Sequence, residues 1–207
     1  MIAVVDYGAS NLKSVVRALR AAGADALATT DPAAVRSAER VVVPGVGNFA
    51  PARRRLRETG LDAAVVEAAR TGRPVLGICL GLQLFLAESE EAPGDPGLGL
   101  LPGRAAQFRT DLPVPHVGWA RVRPTVAGGE HPVVRRALGP GGQFFYHVHS
   151  YYPEHVAADA ALGEADYGES FATIVGRDNV IGVQFHPEKS QAAGLELLRA
   201  FSEWRGD

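Results

Sequence analysis

Residues 74–87, PVLGICLGLQLFLA, constrain the chain more than any other stretch. They read as a short buried strand, a sharp turn and the opening of an apolar helix. Val75 and Leu76 extend, Gly77 to Gly81 turn, and Leu82, Leu84, Phe85 and Leu86 continue helically. A glycine two residues to either side of Cys79 suits a strained strand-to-helix elbow that lifts a nucleophile out of a sheet. Lacking a Cβ, glycine lets backbone pack closely and take unusual dihedrals. The elbow would also set the sulfur at a helix N-terminus, where the dipole and free N–H groups favour a thiolate. Cys79 is the only cysteine, so it has no disulfide partner within the chain and builds no multi-cysteine metal site. Taken alone, a lone cysteine in an apolar run is more often a small buried hydrophobe, and the rest of the chain has to separate the two readings.

The first half alternates strand and helix. Residues 2–5 (IAVV) form a first buried strand, followed by a helical pattern from about Ser10 to Ala22 with Leu12, Val15, Val16 and Leu19 on one face. Gly23 stops it. Residues 26–29 are a weaker strand, and Asp31-Pro32 is an N-cap with proline at the first helical position. Val41 to Val43 make a third strand, which Pro44-Gly45-Val46-Gly47 breaks. Helices are expected from about Phe49 to Arg57 and from about Asp62 to Arg70. This alternation argues for an α/β fold with a parallel sheet and helices on both faces.

Residues 88–103, rich in Glu, Pro and Gly, read as a long loop. Short apolar runs then dominate, at 105–108, 120–126, 143–148, 171–175 and 180–185, and point to an antiparallel or mixed continuation of the sheet. Residues 190–204 close the chain as a helix. With 207 residues, no repeat and no low-complexity linker, a single domain spanning 1–207 is the simplest organisation.

A net charge of −2 without a block of one sign favours neither nucleic acid nor a membrane surface. The basic cluster of Arg53, Arg54, Arg55 and Arg57 reads as a solvated helix face. The N-terminus is a strand ending at Asp6 rather than a leader, and no apolar run reaches the roughly 18 residues of a membrane span. One cysteine gives no sign of an oxidising compartment; a cytoplasmic setting is expected.

A thiolate nucleophile needs a base, and the base needs an orienting partner. Near the C-terminus a strand ends at His186, followed by Pro187-Glu188-Lys189-Ser190. Pro187 keeps His186 out of the helical region, and in an extended turn Glu188 points the same way as His186 and holds the imidazole. Loops leaving the C-terminal ends of parallel strands share one rim, so Cys79 and His186 can meet there. Otherwise His186 is a satisfied histidine at a strand end. Pro44-Gly45-Val46-Gly47-Asn48 also follows a strand, and its glycines allow a peptide N–H to turn toward a cleft as an oxyanion donor. The N–H of Leu80 is the second donor. On its own PGVG is more often only a turn. His147 and His149 share a face of a strand, but without a third ligand no metal is expected. His116 is placed in a loop, and His131 and His155 on the surface.

These segments resemble a known family. Gly-Ile-Cys-Leu-Gly-Leu-Gln (77–83) together with Gln-Phe-His-Pro-Glu-Lys-Ser (184–190) resembles the class I glutamine amidotransferases, whose triad is Cys-His-Glu. Asp6-Tyr7-Gly8 with Asn11-Leu12, Pro-Gly-Val-Gly (44–47), Gly-Leu-Gly-Leu-Leu-Pro-Gly (97–103), Pro-His-Val-Gly-Trp (115–119) and Val-His-Ser-Tyr-Tyr (148–152) are similar to the glutaminase subunits of imidazole glycerol phosphate synthases. The resemblance covers almost the whole chain. It implies a three-layer, flavodoxin-like α/β fold and hydrolysis of L-glutamine to glutamate and ammonia through a thioester on Cys79, without a cofactor. His186 would be the base and Glu188 its orienting carboxylate. It implies an oxyanion hole of backbone N–H groups from Val46, Gly47 and Leu80. Gly47, Gln83, His149, Ser150 and Tyr151 would bind glutamine. Asn11, Trp119 and Lys189 would face a cyclase subunit, a (β/α)8 barrel, in a heterodimer that passes ammonia into histidine synthesis. Ala9-Ser10 before Asn11, Ala120 after Trp119, and His147 in place of a common Phe depart from the family's pattern. A glutaminase subunit of another amidotransferase, or a stand-alone cysteine hydrolase on the same fold, is the alternative.

Overall fold

A computed structural model describes residues 1–8 and 11–207. Ala9 and Ser10, which include the expected first residue of helix 10–22, lie outside the described residues. Among those described, nine strands form one sheet. Its parallel half runs β2 (Ala26–Thr29), β1 (Ile2–Val5), β3 (Arg40–Gly45), β4 (Val75–Cys79), β11 (Val180–Val183). Its antiparallel half continues β10 (Glu169–Arg177), β9 (Ala161–Tyr167), β6 (His116–Pro124), β7 (Gln143–His149). A separate pair joins β5 (Arg104–Gln107) to β8 (Tyr151–Glu154).

The inner parallel strands β1, β4 and β11 are buried at every position, and β3 at every position after Arg40, because both faces are covered; only the edge strand β2 is partly exposed. Ile2, Val4, Val42, Leu76, Ile78, Ile181 and Val183 face a layer that includes Val15 and Leu19 of α1 (Leu12–Ala21) and Leu197, Leu198 and Phe201 of α8 (Gln191–Glu203). Ala3, Val5, Val41, Val43, Val75 and Val180 face the other layer. That layer draws Val35 from α2 (Pro32–Ser37), Leu56 from α3 (Phe49–Thr59), Leu61 and Val65 from α4 (Leu61–Arg70), and Leu82 from α5 (Leu80–Phe85). Each such buried side chain contributes about 1.5–3 kcal/mol. Asp31 caps α2 as expected, its carboxylate accepting from Ala33 N at 2.8 Å.

Several expectations need correcting. β3 does not break at Pro44; Pro44 pairs with Ile78 and Gly45 with Cys79. Proline is tolerated there because β1 pairs with β3 only as far as Val42, so no strand needs the missing N–H. β4 likewise runs on through Gly77 to Cys79, and α5 starts at once at Leu80. Between the apolar runs at 120–126 and 143–148, where no helix is expected, the chain forms α6 (Val126–Glu130) and α7 (Pro132–Leu138), and β8 and β9 are likewise unexpected. The paired glycines of α6 hid it. Gly128 lies so close to the Leu162 carbonyl that an added Cβ would sit 1.7 Å from its oxygen. His116 opens β6 rather than lying in a loop. His131 is half-buried rather than a surface residue; its ring packs on Trp204 with centroids 5.0 Å apart, and both ring nitrogens are buried without partners among the described residues.

Candidate active site

β3, β4 and β11 are adjacent and parallel, so the residues that follow each of them emerge at one rim. Cys79 ends β4 with φ 53° and ψ −108°, a sparsely populated state for a residue with a side chain, costing about 1–3 kcal/mol. The flanking glycines have ordinary φ and serve closeness instead. A Cβ on Gly81 would stand 1.9 Å from the Val43 carbonyl oxygen, and one on Gly77 2.7–2.8 Å from Phe85, Gly81 and Leu82. They let α5 seat directly on β3 and β4, and the strain falls on Cys79. With only six residues, α5 supplies a short dipole.

His186 follows β11. Its N–H donates to the Tyr146 carbonyl at 2.9 Å, and its own carbonyl accepts from Ser190 Oγ at 2.6 Å. Ser190 Oγ in turn accepts from Tyr146 N at 3.0 Å, so one hydroxyl staples the turn to β7. His186 Nδ1 faces Glu188 Oε1 at 2.8 Å. The turn that brings them together, Pro187–Lys189, is a tight 3-10 turn, not the extended one expected. The Glu188 side chain is wholly buried, and the same Oε1 accepts from Asn11 Nδ2 at 2.5 Å. Since a carboxylate only accepts, His186 Nδ1 carries a proton, and Nε2, which has no hydrogen-bond partner within 3.5 Å among the described nitrogens and oxygens, is the working nitrogen. Burial pulls the imidazole's proton affinity down; the nearby Cys79 sulfur and the Glu188 carboxylate outweigh it, raising its pKa to about 9.

One cleft is lined by Cys79, His186, Val46, Gly47, Leu80, Gln83, His149, Ser150 and Tyr151. Sequence reasoning named all of these. Gly47 takes φ 102°, a conformation open to glycine. His149 Nδ1 lies 2.8 Å from the Tyr151 carbonyl, so it carries the proton and leaves Nε2 as an acceptor. Burial, with His147 alongside, keeps the ring neutral by holding its pKa well below the ordinary value. Glu188 stands behind His186, and Asn11, Trp119 and Lys189 lie outside the cleft. Asn11, expected to face a partner, reaches the Glu188 carboxylate.

Glu91 and Gln107 also line the cleft and were missed. Glu91 Oε2 accepts from Phe49 N at 3.0 Å, at the uncapped start of α3, which folds the 88–103 loop over the site. Three glutamates in a Pro/Gly-rich loop give no sign of which one turns to the site. The buried hydroxyl of Tyr7 donates to the Pro44 carbonyl at 2.8 Å. Among the described residues no cluster of His, Cys, Asp or Glu could hold a metal ion, and no helix is long and apolar enough to cross a membrane.

On the opposite face of β6 and β7, Val117 pairs with Val148, Trp119 with Tyr146 and Arg121 with Phe144. Val117, Trp119 and Phe144 are 57%, 47% and 55% exposed, an apolar patch at the open edge of the sheet. Trp119 packs edge-on to Tyr146, and Lys189 Nζ sits 5.6 Å from the centre of the Tyr146 ring.

Comparisons with known proteins point to one family. Residues 3–203 match the family model described as glutamine amidotransferase class-I. The chain is 48% identical over 197 residues to the imidazole glycerol phosphate synthase subunit HisH of Symbiobacterium thermophilum, covering 95% of this chain and 91% of that one. It is 42% identical to the HisH subunit of Methanothermobacter thermautotrophicus, covering 98% of each chain. Among solved structures, one described as a glutamine amidotransferase superposes with a TM-score of 0.77 at 20% identity, covering 100% of this chain and 99% of that one. PurLQS from Thermotoga maritima superposes with a TM-score of 0.73 at 18% identity, covering 97% of this chain and 96% of the other; these two speak to the fold alone. The chain belongs to the class I glutamine amidotransferase family and groups within it with the HisH subunits of imidazole glycerol phosphate synthase.

Proposed function

We propose that this chain hydrolyses L-glutamine at Cys79 and hands the ammonia to a cyclase subunit, a (β/α)8 barrel, in the cytoplasmic synthesis of histidine. His186 Nε2 holds the proton given up by the Cys79 thiol, and Sγ of the resulting thiolate attacks the side-chain amide carbon. The tetrahedral oxyanion is held by the N–H of Leu80 and by a peptide N–H of the Val46-Gly47 loop. His186 returns the proton to the departing nitrogen, ammonia leaves, and a thioester remains. Water, deprotonated by His186, attacks the thioester, and collapse releases glutamate and restores the thiol. Glu188 keeps the imidazole oriented and balances its charge. Glu91 is the acidic group available in the cleft for the substrate's ammonium, and His149 Nε2 an acceptor.

The observation that carries this reading is the shared cleft: a nucleophile in an elbow, a base with a buried carboxylate 2.8 Å behind it, and a glycine loop on the neighbouring strand. The exposed Val117, Trp119 and Phe144 surface supports a partner at this edge. Tyr146 lies under Trp119 and Lys189, and its backbone bonds both His186 and Ser190. A partner seated on that patch would therefore press directly on the base. The test is glutamate release by the chain alone, with the cyclase subunit, and with the cyclase and its nucleotide ligand. The expected result is slow turnover alone and strong activation by the liganded partner; equal rates in all three would reject the coupling.

A further inference from the structure

We propose that Gln184 is a further catalytic residue: its carboxamide, locked in one orientation by Gln83, donates a hydrogen bond to the sulfur of Cys79. The inference rests on the reading of Cys79 as nucleophile. Gln184 lies between β11 and His186 and is fully buried. Its backbone N–H is fixed to the Thr173 carbonyl at 2.8 Å, so the side chain starts from a set point. Its Nε2 lies 3.7 Å from Cys79 Sγ, within hydrogen-bonding range for sulfur.

A carboxamide offers oxygen at one end and NH2 at the other, and the surroundings decide which end faces which way. Here the decision is forced from outside. The Tyr151 backbone carbonyl is a pure acceptor that cannot turn, and a Gln83 terminus lies 3.2 Å from it. That terminus must be NH2. The same NH2 lies 3.2 Å from Gln184, so the atom it meets there must be oxygen. The Gln184 NH2 is left aimed at the sulfur. A relay of one carbonyl and two amides thus presents a donor to an atom that turns anionic during the reaction. A donor there favours the thiolate over the thiol, and it does so without a titratable group. The ionisable groups facing the sulfur are His186 after β11 and Tyr7 after β1, with Glu91 and His149 across the cleft.

Cys79 is the only cysteine, so alkylation by iodoacetamide reports on this sulfur alone. Gln184→Met keeps the length and removes the donor. Gln83→Met leaves the donor but frees its orientation. The expected result for Gln184→Met is alkylation at pH 7 slowed about tenfold, the scale of one hydrogen bond to a charged group. Its rate–pH curve should move to higher pH, and glutamine turnover should show a lower kcat at nearly unchanged KM. Gln83→Met should shift the curve the same way by less. A wild-type rate and curve in Gln184→Met overturns the proposal; if that variant does not fold, an unshifted curve in Gln83→Met overturns it. Wild-type Cys79 reacting no faster than free cysteine would overturn the nucleophile reading as well, which separates the two failures.

Discussion

Cys79 carries backbone strain, a neighbouring base and a buried amide on one side chain, and its replacement is the sharpest test at the residue scale. Cys79→Ser should lower glutamine hydrolysis by more than about 10²-fold, because a hydroxyl is far harder to deprotonate beside the same imidazole. Ammonia-driven cyclisation by the assembled complex should persist, and both are read by product assays. His186→Ala should cost more than Glu188→Gln, since His186 moves the proton and Glu188 only orients and stabilises the ring; kcat for the two variants decides it. Cys79 was legible because the Gly-x-Cys-x-Gly spacing is local, and His186 and Glu188 because they are two residues apart. Asn11, Ser190 and Gln184 were not legible as neighbours of these groups. Asn11 reaches Glu188 across 177 positions, and Gln184 reaches Cys79 across 105, and no pattern in a single chain encodes such pairs.

Among the elements, the contact between α5 and the β3–β4 pair controls the elbow. Gly81 has an ordinary φ, so Gly81→Ala meets no dihedral penalty; its methyl would instead strike the Val43 carbonyl. Overpacking of this kind costs about 1–3 kcal/mol, and the helix would have to lift and carry Leu80 with it. The expected outcome is a lower urea midpoint together with a larger loss of kcat than the stability change explains, measured on the same preparation. The elements of the parallel half were readable because runs such as VVV and IAVV are short, apolar and bounded by turn residues. β9 was not, because ALGEADY has few residues that favour strands and is held there by its neighbours. α7 was overlooked because its seven residues give a pattern too short to separate from the runs around it.

The whole molecule should be most stable near neutral pH, for opposed reasons on its two sides. His186 binds its proton more tightly folded than unfolded, with a pKa raised to about 9. Its contribution is complete below the unfolded value near 6.5 and is lost as pH rises through about 9. Burial holds His131 at about 4 and His147 at about 3. These neutral rings stabilise the fold above about 6.5, and that contribution is lost as pH falls toward those values. Urea midpoints measured from pH 4 to pH 10 should trace this dome. His186→Ala should flatten the alkaline limb and His131→Phe part of the acid limb, each proton accounting for at most about 1.4 kcal/mol per pH unit.

The position of β11 has a consequence for synthesis. It is the last strand made, yet it stands in the middle of the sheet, pairing β4 on one side and β10 on the other. Until Val180–Val183 has left the ribosome, the earlier strands can form only two separate half-sheets with open edges. His186, Glu188 and Gln184 arrive only with that strand. A nascent chain therefore cannot break down glutamine before its architecture closes, and closure waits on pairing between segments about a hundred residues apart, a topology that folds slowly. Ending the chain before Val180 should yield an inactive and aggregation-prone product rather than a weakened enzyme, because the exposed edges of β4 and β10 are the two that β11 exists to join.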